Sequence, residues 1–172
     1  MLYMKILLVI GLFVSFSGCA QKASMENMSV KNQKQLQYDS KYKNALNVLS
    51  VDGGKETNPA WTSQIDSLEF KKALIESLKN AGLYSENSHY TLRVEIIDLE
   101  QPMFGIDMTV TMSVKYILED KEKNIIFTKL IKEPYTATMG DAFSGVKRLR
   151  LANEGSARKN IKVLLNEFKG NK

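Results

Sequence analysis

The sequence predicts an α+β two-layer sandwich: a four-stranded, mainly antiparallel sheet with two helices on one face, in the order β-α-β-β-β-α. Three observations lead there. Residues 106–118 alternate apolar and polar side chains over a length that only a strand explains. Two other stretches repeat apolar residues at helical spacing, each with start or stop signals. Turn-forming residues separate all of these runs.

In chain order, Ala45 to Val51 is rich in β-formers and ends at the breaker Asp52-Gly53-Gly54. Asp66 followed by Glu69 has capping-box spacing, and the helix behind it repeats Phe70, Leu74, Leu78 and Ala81. Gly82 then suits the left-handed position that closes a helix. Tyr90, Leu92, Val94 and Ile96 form one phase of a half-buried strand. Ile106, Met108, Val110, Met112, Val114, Tyr116 and Leu118 form the apolar phase of the next, against Asp107, Thr109, Thr111, Ser113 and Lys115. Such alternation means a sheet covered on one side only. Residues 120–124 turn the chain into Ile125–Leu130, and Pro134 interrupts before Tyr135–Met139, which implies an edge or a bulge. The last helix runs from near Gly145 to Phe168, with Leu149, Ala152, Ser156 and Asn160 along one side.

The beginning of the chain reads differently. Lys5 precedes an apolar run, Ile6 to Phe16, too short for a comfortable membrane span but of the length of a secretory signal core. Phe16-Ser17-Gly18-Cys19 then resembles the bacterial lipobox, in which the cysteine sulfur takes a diacylglycerol and cleavage frees its amino group. The organisation expected is residues 1–18 as a lipoprotein signal peptide, 19–43 as the lipidated cysteine with a polar tether, and 44–172 as one periplasmic domain. The stretch 20–43 shows no apolar period and reads as a flexible linker. Residue 20 is Ala and not Asp, which by the sorting rule of that family points to the outer membrane of a Gram-negative host.

Charge and composition narrow the chemistry. The net charge is +5, yet residues 44–169 hold 17 basic and 17 acidic side chains, so the chain is no general polyanion binder and nucleic acid is not expected as a partner. Residues 145–169 are basic within that neutral domain. One His and one Cys, far apart, exclude a His/Cys zinc site and an internal disulfide, and no ligand spacing suggests a metal or another cofactor.

The candidate sites are correspondingly few. Cys19 is the expected lipid attachment and hence the link to the bilayer. The stretch 135–160 is poor in bulky aliphatics. Asp141, Arg148, Arg150, Asn153, Glu154 and Arg158 within it form a candidate docking surface for an envelope protein partner. Met108, Met112, Phe104 and Phe143 would line a cavity between helices and sheet if the domain were a binding module for lipid or peptidoglycan fragments. Asp107, with Glu95 or Asp98 from a neighbouring strand, or Asp141, would supply carboxylates to an envelope hydrolase or transferase. His89 lacks any motif around it and reads as an exposed strand-end residue.

Three segments carry a wider resemblance: 53–63 around Trp61, Gln101-Pro-Met-Phe-Gly-Ile-Asp-Met-Thr-Val110, and 134–160. Through them the chain resembles a group of small proteobacterial outer-membrane lipoproteins of unestablished role. Relatives there sometimes bear the label UDP-N-acetylglucosamine acyltransferase. Such acyltransferases are hexapeptide-repeat β-helices with a catalytic His, and this chain has no six-residue period. The element order is similar to that of envelope-assembly lipoproteins such as the partner of the lipopolysaccharide translocon. The resemblance implies a non-enzymatic accessory in cell-envelope assembly or maintenance.

Overall fold

The computed structural model describes residues 20–33, 36–58 and 62–170. Cys19, the apolar run before it and Trp61 lie outside the described residues. Within them the chain forms a one-turn helix α1 (Met25–Met28), a 3-10 turn (Ser40–Tyr42), β1 (Leu46–Asp52), α2 (Ser67–Asn80), β2 (Tyr90–Glu100), β3 (Met108–Glu119), β4 (Ile125–Ala137) and α3 (Gly145–Asn166).

The sheet is open, with strand order β1-β2-β3-β4. Its β2-β3 and β3-β4 pairs are antiparallel, but β1 and β2 run parallel. The sheet is thus mainly antiparallel, as the sequence predicts, but mixed through one parallel pair. The cause is connectivity: α2 crosses over between β1 and β2 and returns the chain in the same direction, whereas the short connections 101–107 and 120–124 join the other strands directly. Bulges at Leu49 and Ile97 interrupt the register of β1 and β2. Each extra residue points outward, so Val51 and Leu99 return to the core side. Pro134 does not break β4, which runs unbroken from residue 125 to 137 because it is an edge strand.

Local signals set the ends of α2. The Asp66 carboxylate accepts the Glu69 N–H at 2.8 Å. At the other end Leu83 N–H reaches Leu78 O at 2.9 Å and Gly82 N–H reaches Lys79 O at 3.0 Å, a Schellman closure with Gly82 at φ +70°. The apolar phase of β3 is buried throughout, and Val110, Met112, Val114, Tyr116 and Leu118 are wholly inaccessible. Helix α2 packs on β1, and α3 packs on β3 and β4.

Helix α3 carries an unusual polar seam into this core. Ser156 Oγ donates to Glu133 O at 2.7 Å and accepts the Met112 N–H at 2.9 Å. Asn160 Nδ2 donates to Met112 O and Ile131 O at 3.1 and 2.9 Å, and its Oδ1 accepts the Tyr116 hydroxyl at 2.8 Å. The helix thus bonds directly to the backbones of β3 and β4. Gly155 lies in the same helix against the Tyr135 ring of β4. A Cβ there would stand 2.3 Å from two ring carbons. In an exposed helix Gly→Ala gains about 1 kcal/mol; here Gly155→Ala is expected to lose about 1–3 kcal/mol through overpacking. Chemical denaturation should show that loss, and adding Tyr135→Ala should reverse it.

The segment read as a tether is instead part of the domain. Ala23, Met28, Val30, Tyr38 and Tyr42 are buried. Helix α1 lies against both α2 and α3, and Val30 N–H is held by Ser77 Oγ at 2.9 Å. Further on, Tyr38 bridges to Lys169, and the Tyr42 ring meets Phe168 edge-on at 5.1 Å. Burying Met28 and Val30 contributes about 1.5–3 kcal/mol each, which a free linker would forgo. The described part of 20–43 is therefore corrected from linker to packed strap.

Candidate functional site

The residues expected to form a docking surface on 141–158 divide into interior and surface groups. Arg148, Asn153 and Glu154 are 6%, 0% and 1% exposed. Arg148 folds back so that Nη1 donates to Ala142 O and Phe143 O at 2.8 and 2.6 Å, holding the loop before α3. Asn153 Nδ2 donates to Ser63 O at 2.9 Å while its Oδ1 accepts Gln101 Nε2 at 2.8 Å, which ties three segments together. Glu154 accepts Ser24 N–H at 3.0 Å and Asn27 Nδ2 at 2.9 Å. These three are corrected from partner contacts to internal braces. Their polarity has a structural cause, since irregular backbone must be hydrogen-bonded when buried.

Glu154 is the clasp of the N-terminal strap. Replacing it with Ala leaves a backbone donor without its acceptor, a loss of about 1–3 kcal/mol borne by the strap. Hydrogen exchange in the Glu154→Ala protein is expected to accelerate at amides 22–30 and to stay unchanged within β3. Equal protection in both proteins would remove Glu154 from that role.

Asp141, Arg150 and Arg158 remain at or near the surface. Asp141 is exposed, but its carboxylate accepts the Thr138 N–H at 2.7 Å and the Thr138 hydroxyl at 3.0 Å. These bonds hold its pKa below the ordinary carboxylate value, so it is a turn cap and a poor general acid at neutral pH. Arg150 bonds the Gln21 side chain, and Arg158 Nη1 donates to Asn27 O at 2.6 Å. Asp141, Glu154 and Arg158 do share a small pocket of about 130 Å³ with Asn27, Tyr135 and Leu151.

Neither Glu95 nor Asp98 is brought to Asp107. Glu95 stands opposite Lys115 and Asp98 opposite Ser113, whereas Asp107 precedes the first residue of β3. That separates Asp107 from Asp98 by roughly 20 Å and from Glu95 by roughly 27 Å along the sheet. His89 is exposed at the start of β2, and its N–H donates to Ala45 O at 2.9 Å. It borders an open cleft of about 380 Å³ with Lys41, Asp120 and Glu122. Asp120 in that cleft accepts both the backbone and the side-chain amide of Asn124, at 2.8 and 2.9 Å, which lowers its pKa. Among the described residues no cluster of His, Cys, Asp and Glu is suited to a metal, and no helix is long and apolar enough to cross a membrane.

The expected lipid cavity is also not formed by its four candidates. Met112 is wholly buried in the main core and Met108 in a satellite cluster with Val110, Ala137, Leu149 and Ala152. Phe104 and Phe143 are 86% and 79% exposed. A different, open cleft of about 680 Å³ lies beside Ala20, lined by Lys22, Gly54, Thr57, Asp66 and Leu68. The sequence reading missed it, because no local pattern joins residues 20–22 to the start of α2.

Two further surfaces stand out. The uncovered sheet face carries Leu49, Ile97 and Leu130, at least half exposed, among the ion pairs Arg93–Glu119, Lys115–Glu95 and Lys132–Glu100. The second surface is the loop end of the sheet, where Met103, Phe104, Ile106, Met139 and Phe143 are exposed.

No family model and no curated protein matches the chain. Its fold is similar to solved structures. A Xanthomonas campestris protein of the DUF330 family aligns with a TM-score of 0.54 at 9% identity, covering 76% of this chain and 88% of that one. A candidate lipoprotein from Caulobacter crescentus aligns with a TM-score of 0.53 at 12% identity, covering 75% and 90%. The hypothetical protein CT253 of Chlamydia trachomatis gives 0.53 at 10% identity, covering 73% and 97%. At these identities the likeness is one of fold, and that fold is an α+β sandwich, not a hexapeptide β-helix.

Proposed function

We propose that the chain is a lipoprotein of the bacterial envelope, anchored through acylated Cys19, with its domain in the periplasm as a non-enzymatic accessory of envelope assembly or maintenance. The observation that carries the anchoring is the join between motif and fold. Phe16-Ser17-Gly18-Cys19 has the small residues and lone cysteine of a lipobox, and Ala20, directly after it, is already packed into the domain. Burial of acyl chains at about 0.8 kcal/mol per methylene makes two or three chains an essentially permanent anchor. Ala at position 20 favours the outer membrane over retention at the inner one.

The accessory reading draws on the uncovered sheet face. Leu49, Ile97 and Leu130 there are 59%, 50% and 66% exposed, and such side chains among ion pairs suit a protein partner. Photocrosslinking residues placed at Leu49 and Leu130 in intact cells are expected to capture one dominant envelope protein, with capture lost in Cys19→Ala. Correctly lipidated protein that captures nothing specific from either position would overturn the accessory reading.

The cleft beside Ala20 favours a second reading, a module for lipid or peptidoglycan fragments. Its lining pairs Lys22 and Asp66 with the exposed Leu68, which suits an amphipathic fragment. Detergent-free purification followed by native mass spectrometry would then show a bound mass, and a clean protein would rule it out.

A further inference from the structure

The packing of residues 20–33 removes the slack that a linker would have provided between anchor and domain. Ala20 is 6% exposed and lies in the cleft formed with Gly54, Asp66 and Leu68. A lipidated Cys19 is one peptide away, about 3.8 Å between Cα atoms. Whatever end of the domain holds Ala20 must therefore lie close to the bilayer.

The register identifies that end. Met108 pairs with Ala137, so β3 starts and β4 finishes there, and β2 finishes close by with Glu100 opposite Thr111; β1, parallel to β2, runs toward the same end and stops at Asp52, opposite Glu95. Gly54 N–H bonds Ser67 Oγ at 3.0 Å, which brings in the start of α2, and Gln21 bonds Arg150 in the first turns of α3. The loops 101–107 and 138–144 leave the sheet at this same end. They carry Met103, Phe104, Ile106, Met139 and Phe143, which are 95%, 86%, 75%, 46% and 79% exposed. Both loops are braced from within: Gln101 by Ser63 and Asn153, and residues 142–143 by Arg148. Large apolar side chains on braced loops lose little conformational freedom on insertion, and rings of this kind suit the boundary between headgroups and acyl chains.

We infer that this loop end rests on the bilayer, with Phe104 and Phe143 inserted at the headgroup boundary and the domain held in one orientation. The inference rests on the lipidation of Cys19. It also leaves the turn at 120–124, at the far end of the β3-β4 hairpin, pointing away from the membrane.

The full lipidated protein, reconstituted in vesicles of phosphatidylethanolamine and phosphatidylglycerol, tests this. Cys19 is the chain's only cysteine, so once acylated it leaves an introduced cysteine as the sole thiol. Phe104→Cys, Phe143→Cys and Ile125→Cys are labelled with an environment-sensitive nitrobenzoxadiazole probe. Ile125 is the control, being 60% exposed at the far end of the hairpin. Probes at 104 and 143 are expected to shift to the blue and to lose intensity with shallow doxyl-labelled lipids, while the probe at 125 does neither. Probes at 104 and 143 that behave like 125, in protein whose Cys19 is shown by mass spectrometry to be acylated, would overturn the orientation and leave the anchor standing. A blue shift without doxyl quenching would mean that a protein surface or a second copy covers the loops, and would also overturn it. An unmodified Cys19 would overturn both the anchor and the orientation.

Discussion

Asn160→Ala is expected to destabilise the domain by about 3–5 kcal/mol. The side chain is wholly buried and makes three bonds, to Met112 O, Ile131 O and the Tyr116 hydroxyl. Its removal takes a donor from each of two buried carbonyls and the acceptor from a buried phenol, each loss costing about 1–3 kcal/mol, with partial relaxation reducing the sum. Burial pushes the Tyr116 pKa well above its ordinary value, so the hydroxyl stays protonated and remains a donor in need of an acceptor. Urea denaturation measures the loss. A double-mutant cycle sharpens it: in a Tyr116→Phe background the cost of Asn160→Ala should fall, because one orphaned group is already gone. Costs below about 1 kcal/mol in either background would mean that the polar seam of α3 does not hold helix to sheet.

The second large effect is expected at the end of β1. Gly53 has φ +81°, and a Cβ there would lie 2.2 Å from the carbonyl oxygen of Ile96. Gly53→Ala thus combines a left-handed penalty of about 1–2 kcal/mol with a collision against the backbone of β2. The total expected is about 3 kcal/mol or more, a fall in Tm of roughly 10 °C for a domain of this size. Gly82 separates the two causes. Its φ is +70°, but a Cβ there meets nothing within 4 Å. Gly82→Ala should therefore show the conformational penalty alone, about 1–2 kcal/mol. Equal melting temperatures for the two variants would show that the chain after β1 can move off β2, and that the contact with Ile96 does not constrain it.

These two sites differ in how far the sequence announced them. Asp52-Gly53-Gly54 reads as a breaker from composition, because glycine is the usual residue where the chain must turn tightly. The carbonyl of Ile96 that forbids a side chain there comes from a strand forty residues later, and no local pattern records it. Asn160 is harder still. On the helix it falls on the same side as Leu149 and Ala152, and its polarity looks like a surface feature until the strands beneath it are in place. The same limit misplaced Arg148, Asn153 and Glu154. Charge and amide groups are ordinarily solvated, and only irregular backbone nearby makes their burial favourable.

From its own order of residues, the chain determined the two long helices, the three later strands and the single covered face of the sheet. Each of these depends on periods of two or 3.6 residues and on caps a few positions apart, interactions that are local by geometry. The proposed lipobox is a local signal too, a run of four residues ending at Cys19. Only the tertiary structure decided that β1 pairs parallel to β2, that residues 20–33 are a strap between α2 and α3, and that Ala20 and the exposed loops share one end. The strap buries Ala23, Met28 and Val30 at irregular intervals through an almost wholly irregular backbone. Such a segment has no period to read, because its conformation is set by the groove it fills and by Ser77 and Glu154, which bond it from distant helices.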